Sequence, residues 1–308
     1  MTQILAALTQ EYVVVASDRQ LTFVSGPHQG KVADDDTCKL VLLCGVWGIA
    51  YTGLSRLDGA PTHEWIAVRL AKENCRSPYV AAQVFANEGA RVLKGSGFQL
   101  ELTFLIAGWV RLEGGALQPH FLLVTNTYDG RGKPLASPAD ELHVFERRLQ
   151  AEELYAARVI GQPLRPDRSR HLHRHFRRMV EHGTSPKPAM AAFASEIAHT
   201  SERPVGVGNK VLAFSIPKRA AHRAFEGGGN MILAMEPNLS STSFCYFDPV
   251  YSELRQYGPT WVCGDSAVTD VKTENDPSRA FQSSSFRILH LPKNGGLPAL
   301  VLRATEGE

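Results

Sequence analysis

A threonine beside the initiator carries two reactive groups once that methionine is removed. The chain opens Met1-Thr2, and methionine before a small residue is the usual setting for its removal. Thr2 would then hold a hydroxyl and a free α-amine on one residue. Such an amine titrates near pH ~8 and can serve as base for the hydroxyl next to it. Acyl transfer to that hydroxyl also needs a positive charge to favour the alkoxide, and a donor for the developing oxyanion. Other chemistry-bearing groups fit less well. His171, His173 and His175 stand among Arg168, Arg170, Arg174, Arg177 and Arg178. His171 and His175 could share a helix face and bind metal, but no third ligand is evident, so the stretch reads as a solvated or subunit-facing helix side. Cys263-Gly264-Asp265-Ser266 lacks the Gly-x-Ser-x-Gly frame of a nucleophile turn.

The elements that must position Thr2 come at once. Ile4-Leu5-Ala6-Ala7-Leu8 and Tyr12-Val13-Val14-Val15-Ala16, ending at Ser17-Asp18, read as a tight antiparallel hairpin of two buried strands. Lys39 opens a second hairpin: Leu40 to Leu43, a turn at Cys44-Gly45, then Val46 to Tyr51, closing at Thr52-Gly53.

This segment resembles the proteasome β-subunit and its bacterial ATP-dependent relatives, members of the N-terminal nucleophile hydrolases. That family has a leading Thr, an Asp after the second strand, a Lys at the start of the third and a Gly after the fourth. The matching residues here are Thr2, Asp18, Lys39 and Gly53. The Thr-to-Asp and Lys-to-Gly intervals, 16 and 14, agree with the family pattern, while the loop between Asp18 and Lys39 is longer. Ser17-Asp18-Arg19-Gln20-Leu21-Thr22 also looks like the family's strand end.

The resemblance implies roles. Lys39 would supply the charge, Asp18 would hold Lys39, and the backbone N–H of Gly53 would face the oxyanion. Thr22 would offer backbone groups to an extended substrate strand, and Tyr51 and Ser55 would edge the specificity pocket. A bulky Tyr51 there predicts a preference for small or medium apolar residues. The resemblance further implies a homo-oligomer, as a ring or stacked rings, and allows an ATPase partner. It implies no metal or organic cofactor. Two stretches depart from the family. Ile160-Gly161-Gln162-Pro163 stands where a Gly-Ser-Gly-like element is common. Ser201 to Gly208 lacks the expected Asp and offers only Glu202 as support for the leading Thr.

After Gly53 the pattern predicts a helix capped by Thr62, and a second opened by Ser77-Pro78 and running to about Leu93. Strands follow at 102–110, 121–128, 142–145 and 157–160. Two helices come next, one capped by Asp167 and one opened by Ser185-Pro186, and then a strand at 210–216. Runs of strands separated by pairs of helices argue for antiparallel sheets with helices outside. The resemblance narrows this α+β class to a four-layer α-β-β-α sandwich of two antiparallel sheets with a C-terminal extension. Residues 1–218 are then the core. Residues 219–308, with strands at 231–235, 243–247 and 286–291 and a polar, loop-like 265–285, complete the sheets and extend them without a linker.

Composition bounds the alternatives. At 308 residues, 44% hydrophobic and 21% charged, the chain reads as a soluble globular protein with one large core. A net charge of +2 argues against a general nucleic-acid binder. The apolar runs are strand-sized, so neither a membrane span nor a cleavable leader before the first hairpin is expected. The five cysteines, Cys38, Cys44, Cys75, Cys245 and Cys263, form no CxxC pair, which points to a reducing, cytoplasmic home. The expected activity is a threonine-type peptidase or amidohydrolase. A small-molecule amidase on the same scaffold, or a structural subunit that has lost the site, are the alternatives.

Overall fold

The computed structural model describes residues 2–23, 27–28, 31–73, 77–96, 100–203, 206–226, 242–248, 255–263, 266–276, 281–290 and 299–306. The glycine run at 227–229, the strand expected at 231–235 and residues 264–265 lie outside them. In chain order the first strands are β1 (Gln3–Thr9), β2 (Tyr12–Asp18), β3 (Leu21–Thr22), β4 (Val32–Asp34), β5 (Leu40–Leu43), β6 (Trp47–Thr52), β7 (Arg56–Leu57) and β8 (Ala60–Pro61). Helices α1 (Thr62–Lys72) and α2 (Pro78–Ser96) follow, then β9 (Thr103–Arg111), β10 (Leu117–Thr125), β11 (His143–Arg148) and β12 (Tyr155–Gly161). Next come α3 (Pro166–Glu181), α4 (Pro186–Ser201), β13 (Val211–Pro217) and α5 (Lys218–Phe225). The last strands are β14 (Ser243–Phe247), β15 (Arg255–Tyr257), β16 (Thr260–Cys263), β17 (Ser266–Asp276), β18 (Phe281–His290) and β19 (Ala299–Glu306).

The fold is α+β. Among the described residues one sheet has the order β12-β1-β2-β13-β14, and a larger one has β11-β10-β9-β6-β5-β16-β17-β18-β19 with β15 on β17. The first hairpin is antiparallel, with Ile4 opposite Ser17 and Leu8 opposite Val13. Its unbroken apolar runs are explained by burial on both faces. Ile4, Ala6, Leu8, Val13 and Val15 join a core shared with the larger sheet, α1 and α2. Leu5, Ala7, Tyr12, Val14 and Ala16, of the opposite parity, join a second core with α3 and α4.

The larger sheet also uses both faces. Phe104 of β9 stacks on Phe85 and Trp65 of the helices, with ring centroids 4.8 and 6.1 Å away. Trp109, of opposite parity on the same strand, sends its indole N–H to the Ile216 carbonyl of β13 at 2.8 Å. No helix among the described residues is long and apolar enough to cross a membrane.

Several local expectations are corrected. Thr62 is the first residue of α1, not its cap, and its hydroxyl donates to the Leu54 carbonyl at 2.7 Å. Asp167 lies inside the first turn of α3, after Arg165 and Pro166, where its charge suits the helix N-terminus. The strand expected at 121–128 is β10, which starts at Leu117. Pairing with β9, Leu117 opposite Arg111, carries the ladder through Gln118-Pro119-His120 although that triplet has no strand-like composition. The stretch 265–285, expected to be loop-like, is strand in its described residues: 266–276 form β17 and 281–285 the start of β18, paired from Ser266 opposite His290 to Asp276 opposite Phe281. Ladder bonds are made by backbone, so a polar sequence at the outer part of a sheet can hide a strand. Nor is the larger sheet wholly antiparallel, because β16 runs parallel to β5.

Candidate active site

The end of β2 places Asp18 at the meeting point of three distant segments. Its side chain is fully buried. Oδ1 accepts the Gln3 amide at 2.9 Å, and Oδ2 accepts the Gln20 amide at 3.1 Å and the Gly208 amide at 3.3 Å. Lys39 Nζ also donates to Oδ2, at 2.9 Å. A buried carboxylate with three backbone donors and an ammonium has its charge met on all sides. Gly208 is needed for this approach, since a Cβ there would come within 2.6 Å of Gln20 Cβ.

Lys39 enters just before β5 and is 2% exposed. Besides Asp18, its ammonium donates to Thr2 Oγ1 at 2.9 Å and to the Gln20 carbonyl. Burial pushes the Lys39 ammonium below the ordinary lysine value, against the pull of Asp18, which favours the charged form. The result is a cation aimed at a hydroxyl oxygen in a water-poor setting, where its field is strong.

Thr2, 7% exposed, is held through its backbone. The Gln162 amide donates to the Thr2 carbonyl at 2.9 Å, and the Gln3 side-chain amide returns a bond to the Gln162 carbonyl at 2.8 Å. Gly161, at the end of β12, sits opposite Gln3 with φ +78°. A Cβ at Gly161 would lie 2.1 Å from the Thr2 carbonyl oxygen, so both the conformation and the space require glycine.

Thr2, Asp18 and Lys39 therefore share one hydrogen-bonded network. The other expected residues make different contacts. Gly53 follows β6 with φ +104°, and a Cβ there would meet the Glu101 carbonyl at 2.0 Å. Thr22 is half-buried in β3, opposite Val32 of β4. Ser55 is half-buried, and its carbonyl accepts the Thr62 amide at 3.0 Å. Tyr51 lies in the core, with its hydroxyl donating to the Cys38 carbonyl at 2.9 Å. That placement ties Tyr51 to the residue before Lys39; it does not put the ring along an open groove.

Glu202 does not support Thr2: it is exposed after α4 and faces His199 at 3.2 Å. Thr2 is held instead by Gly161 and Gln162, and Asp18 by Gly208 and Gln20, residues to which the sequence assigned no supporting role. The available signals were the glycines at 206 and 208 just before β13, and the glycine closing β12. His171 and His175 stack on the exposed side of α3, 6.3 Å apart, and His173 Nδ1 meets the Tyr155 hydroxyl at 3.0 Å.

No family model matches the chain, and no curated protein matches it. Among solved structures it is similar to an Anbu mutant from Hyphomicrobium sp. strain MC1, with TM-score 0.44 and 14% identity over 70% of this chain and 80% of that one. It is also similar to Anbu (ancestral beta-subunit) from Yersinia bercovieri, with TM-score 0.41 and 16% identity over 70% and 81% of the two chains.

Proposed function

We propose that the chain is an amidohydrolase of the N-terminal-nucleophile type, cutting peptide bonds with Thr2 after removal of Met1. The observation that carries this reading is the single ammonium, Lys39 Nζ, bonded at 2.9 Å to both Thr2 Oγ1 and Asp18 Oδ2. The freed Thr2 amine, acting through one water, takes the hydroxyl proton as Oγ1 attacks the substrate carbonyl. Lys39 steadies the alkoxide, and the Gly53 N–H is assigned to the oxyanion. The amine's proton passes to the leaving nitrogen as the C–N bond breaks, leaving an acyl ester on Oγ1. A second water, activated by the same amine, then releases the acid and restores the hydroxyl.

Thr22 and Ser55 are assigned to the substrate strand and its pocket. We extend the reading to a four-layer α-β-β-α sandwich, supported by the two opposite-parity cores of β1 and β2 and the two-sided packing of β9. Residues 1–218 are assigned as the core, with 219–308 continuous with it. This is supported by β14 adding to one sheet and β16–β19 to the other. The assembled form is proposed to be a homo-oligomer in the cytoplasm.

Intact-mass measurement paired with a fluorogenic peptide panel tests the reading. The expected result is a mature chain lacking Met1 that cleaves peptides, and a Thr2→Ala chain that does not. A chain that keeps Met1 and is inert would move the assignment to a structural subunit.

A further inference from the structure

Strand β5 begins one residue after Lys39 and is held along both edges. β6 pairs with it antiparallel on one side. On the other, β16 adds in parallel, Thr260 opposite Val41 and Val262 opposite Leu43, and the Cys44 amide donates to the Val262 carbonyl at 3.0 Å. Lacking β16, β5 would be an edge strand with a buried ammonium at its first turn. Such edges open locally more readily than interior strands.

The contact continues in side chains. Thr260 is buried, with its hydroxyl 3.1 Å from Thr269 Oγ1 and 3.7 Å from Cys38 Sγ as a donor to sulfur. Cys38 Sγ lies 3.1 Å from the Leu40 carbonyl, and the Cys38 carbonyl accepts the Tyr51 hydroxyl. The residue preceding Lys39 is thus fixed through its thiol by Thr260 and through its peptide plane by Tyr51. A second anchor joins the same C-terminal strands to α1: Arg287 of β18 bonds Glu64 Oε1 at 2.7 Å and also Asp270.

We propose that Thr260 is a positioning residue for Lys39, brought to the site by β16 from the far end of the chain. The C-terminal strands are in this view part of the catalytic apparatus, because they set the geometry of an ammonium that must stay aimed at Thr2 Oγ1. The proposal rests on the reading of Thr2 and Lys39 given above.

The test uses the full chain with 13Cε-labelled lysine, in wild-type, Thr260→Val and Thr260→Ser forms, with Lys39→Met to assign the Lys39 signal. For Thr260→Val, kcat is expected to fall about 10-fold with KM nearly constant, since a small displacement of a catalytic group acts mainly on the chemical step. The Lys39 13Cε titration midpoint is expected to move up toward the ordinary lysine value as packing loosens and water enters. Thr260→Ser should restore both. Should Thr260→Val fail to fold, Cys38→Ala removes the acceptor together with the thiol's contact to the Leu40 carbonyl, and its kcat and Lys39 midpoint are read the same way. An unchanged kcat together with an unmoved midpoint in the valine form overturns the proposal. If Thr2→Ala stays active, it is the hydrolase reading that fails, and the Lys39 midpoint still decides whether Thr260 positions it.

Discussion

Asp18 and Lys39 face each other at 2.9 Å with side chains 0% and 1% exposed. A pair so enclosed cannot lose one member cheaply. Asp18→Ala would leave the ammonium buried without its counter-ion, and the expected loss of stability is about 3–5 kcal/mol. Urea or thermal unfolding reads this directly. A change below about 1 kcal/mol would mean the pair is solvated in solution and bears little of the site's organisation.

Thr2→Ala and Lys39→Ala should each lower peptide hydrolysis by on the order of 10³-fold, and the double variant should fall little further, because groups acting as one unit are not additive. Thr2→Ser should keep measurable activity. Additive losses in the double variant would show that the two residues work separately.

The pH dependence of stability follows from the direction of the Lys39 shift. Its folded value lies below the ordinary 10.5, so between the two the unfolded chain binds the additional proton. Stability from this group is therefore greatest above about 10.5 and is lost as pH falls through the lowered folded value. Denaturation curves as pH rises toward 10.5 should show a rise in the wild type that Lys39→Met removes. Identical slopes in the two proteins would contradict the shift.

Gly161→Ala tests how Thr2 is held. The new methyl meets both a φ of +78° and the Thr2 carbonyl, so Thr2 must move. The strain is expected to cost about 1–3 kcal/mol, and displacement of the nucleophile should reduce kcat by on the order of 10²-fold. Gly183→Ala serves as control: its φ is +61°, but a Cβ there meets nothing within 4 Å. It should carry the backbone strain alone and leave kcat unchanged.

Much of the local architecture was legible in the chain. Both N-terminal hairpins could be read from their apolar runs, the second also from its Cys44-Gly45 turn, because strands buried on both faces leave no polar alternation to mislead. The helix starts at Pro78 and Pro186 were also readable, since proline tolerates the first turn and little else. Residues 266–276 were not readable as strand. Their pairing is set by backbone partners at 281–290, and composition records nothing of a ladder.

The types and spacing of Thr2, Asp18, Lys39 and Gly53 are properties of the sequence, and they define which chemistry the chain could support. Which residues surround that chemistry was decided in three dimensions. Gly208 donates to Asp18 across 190 positions, Gln162 holds Thr2, and Thr260 reaches Cys38 across 222. The physical reason is that a buried charge must collect its hydrogen-bond partners from whichever backbone the sheets bring within about 3 Å. Sheet order places those partners without regard to their distance along the chain.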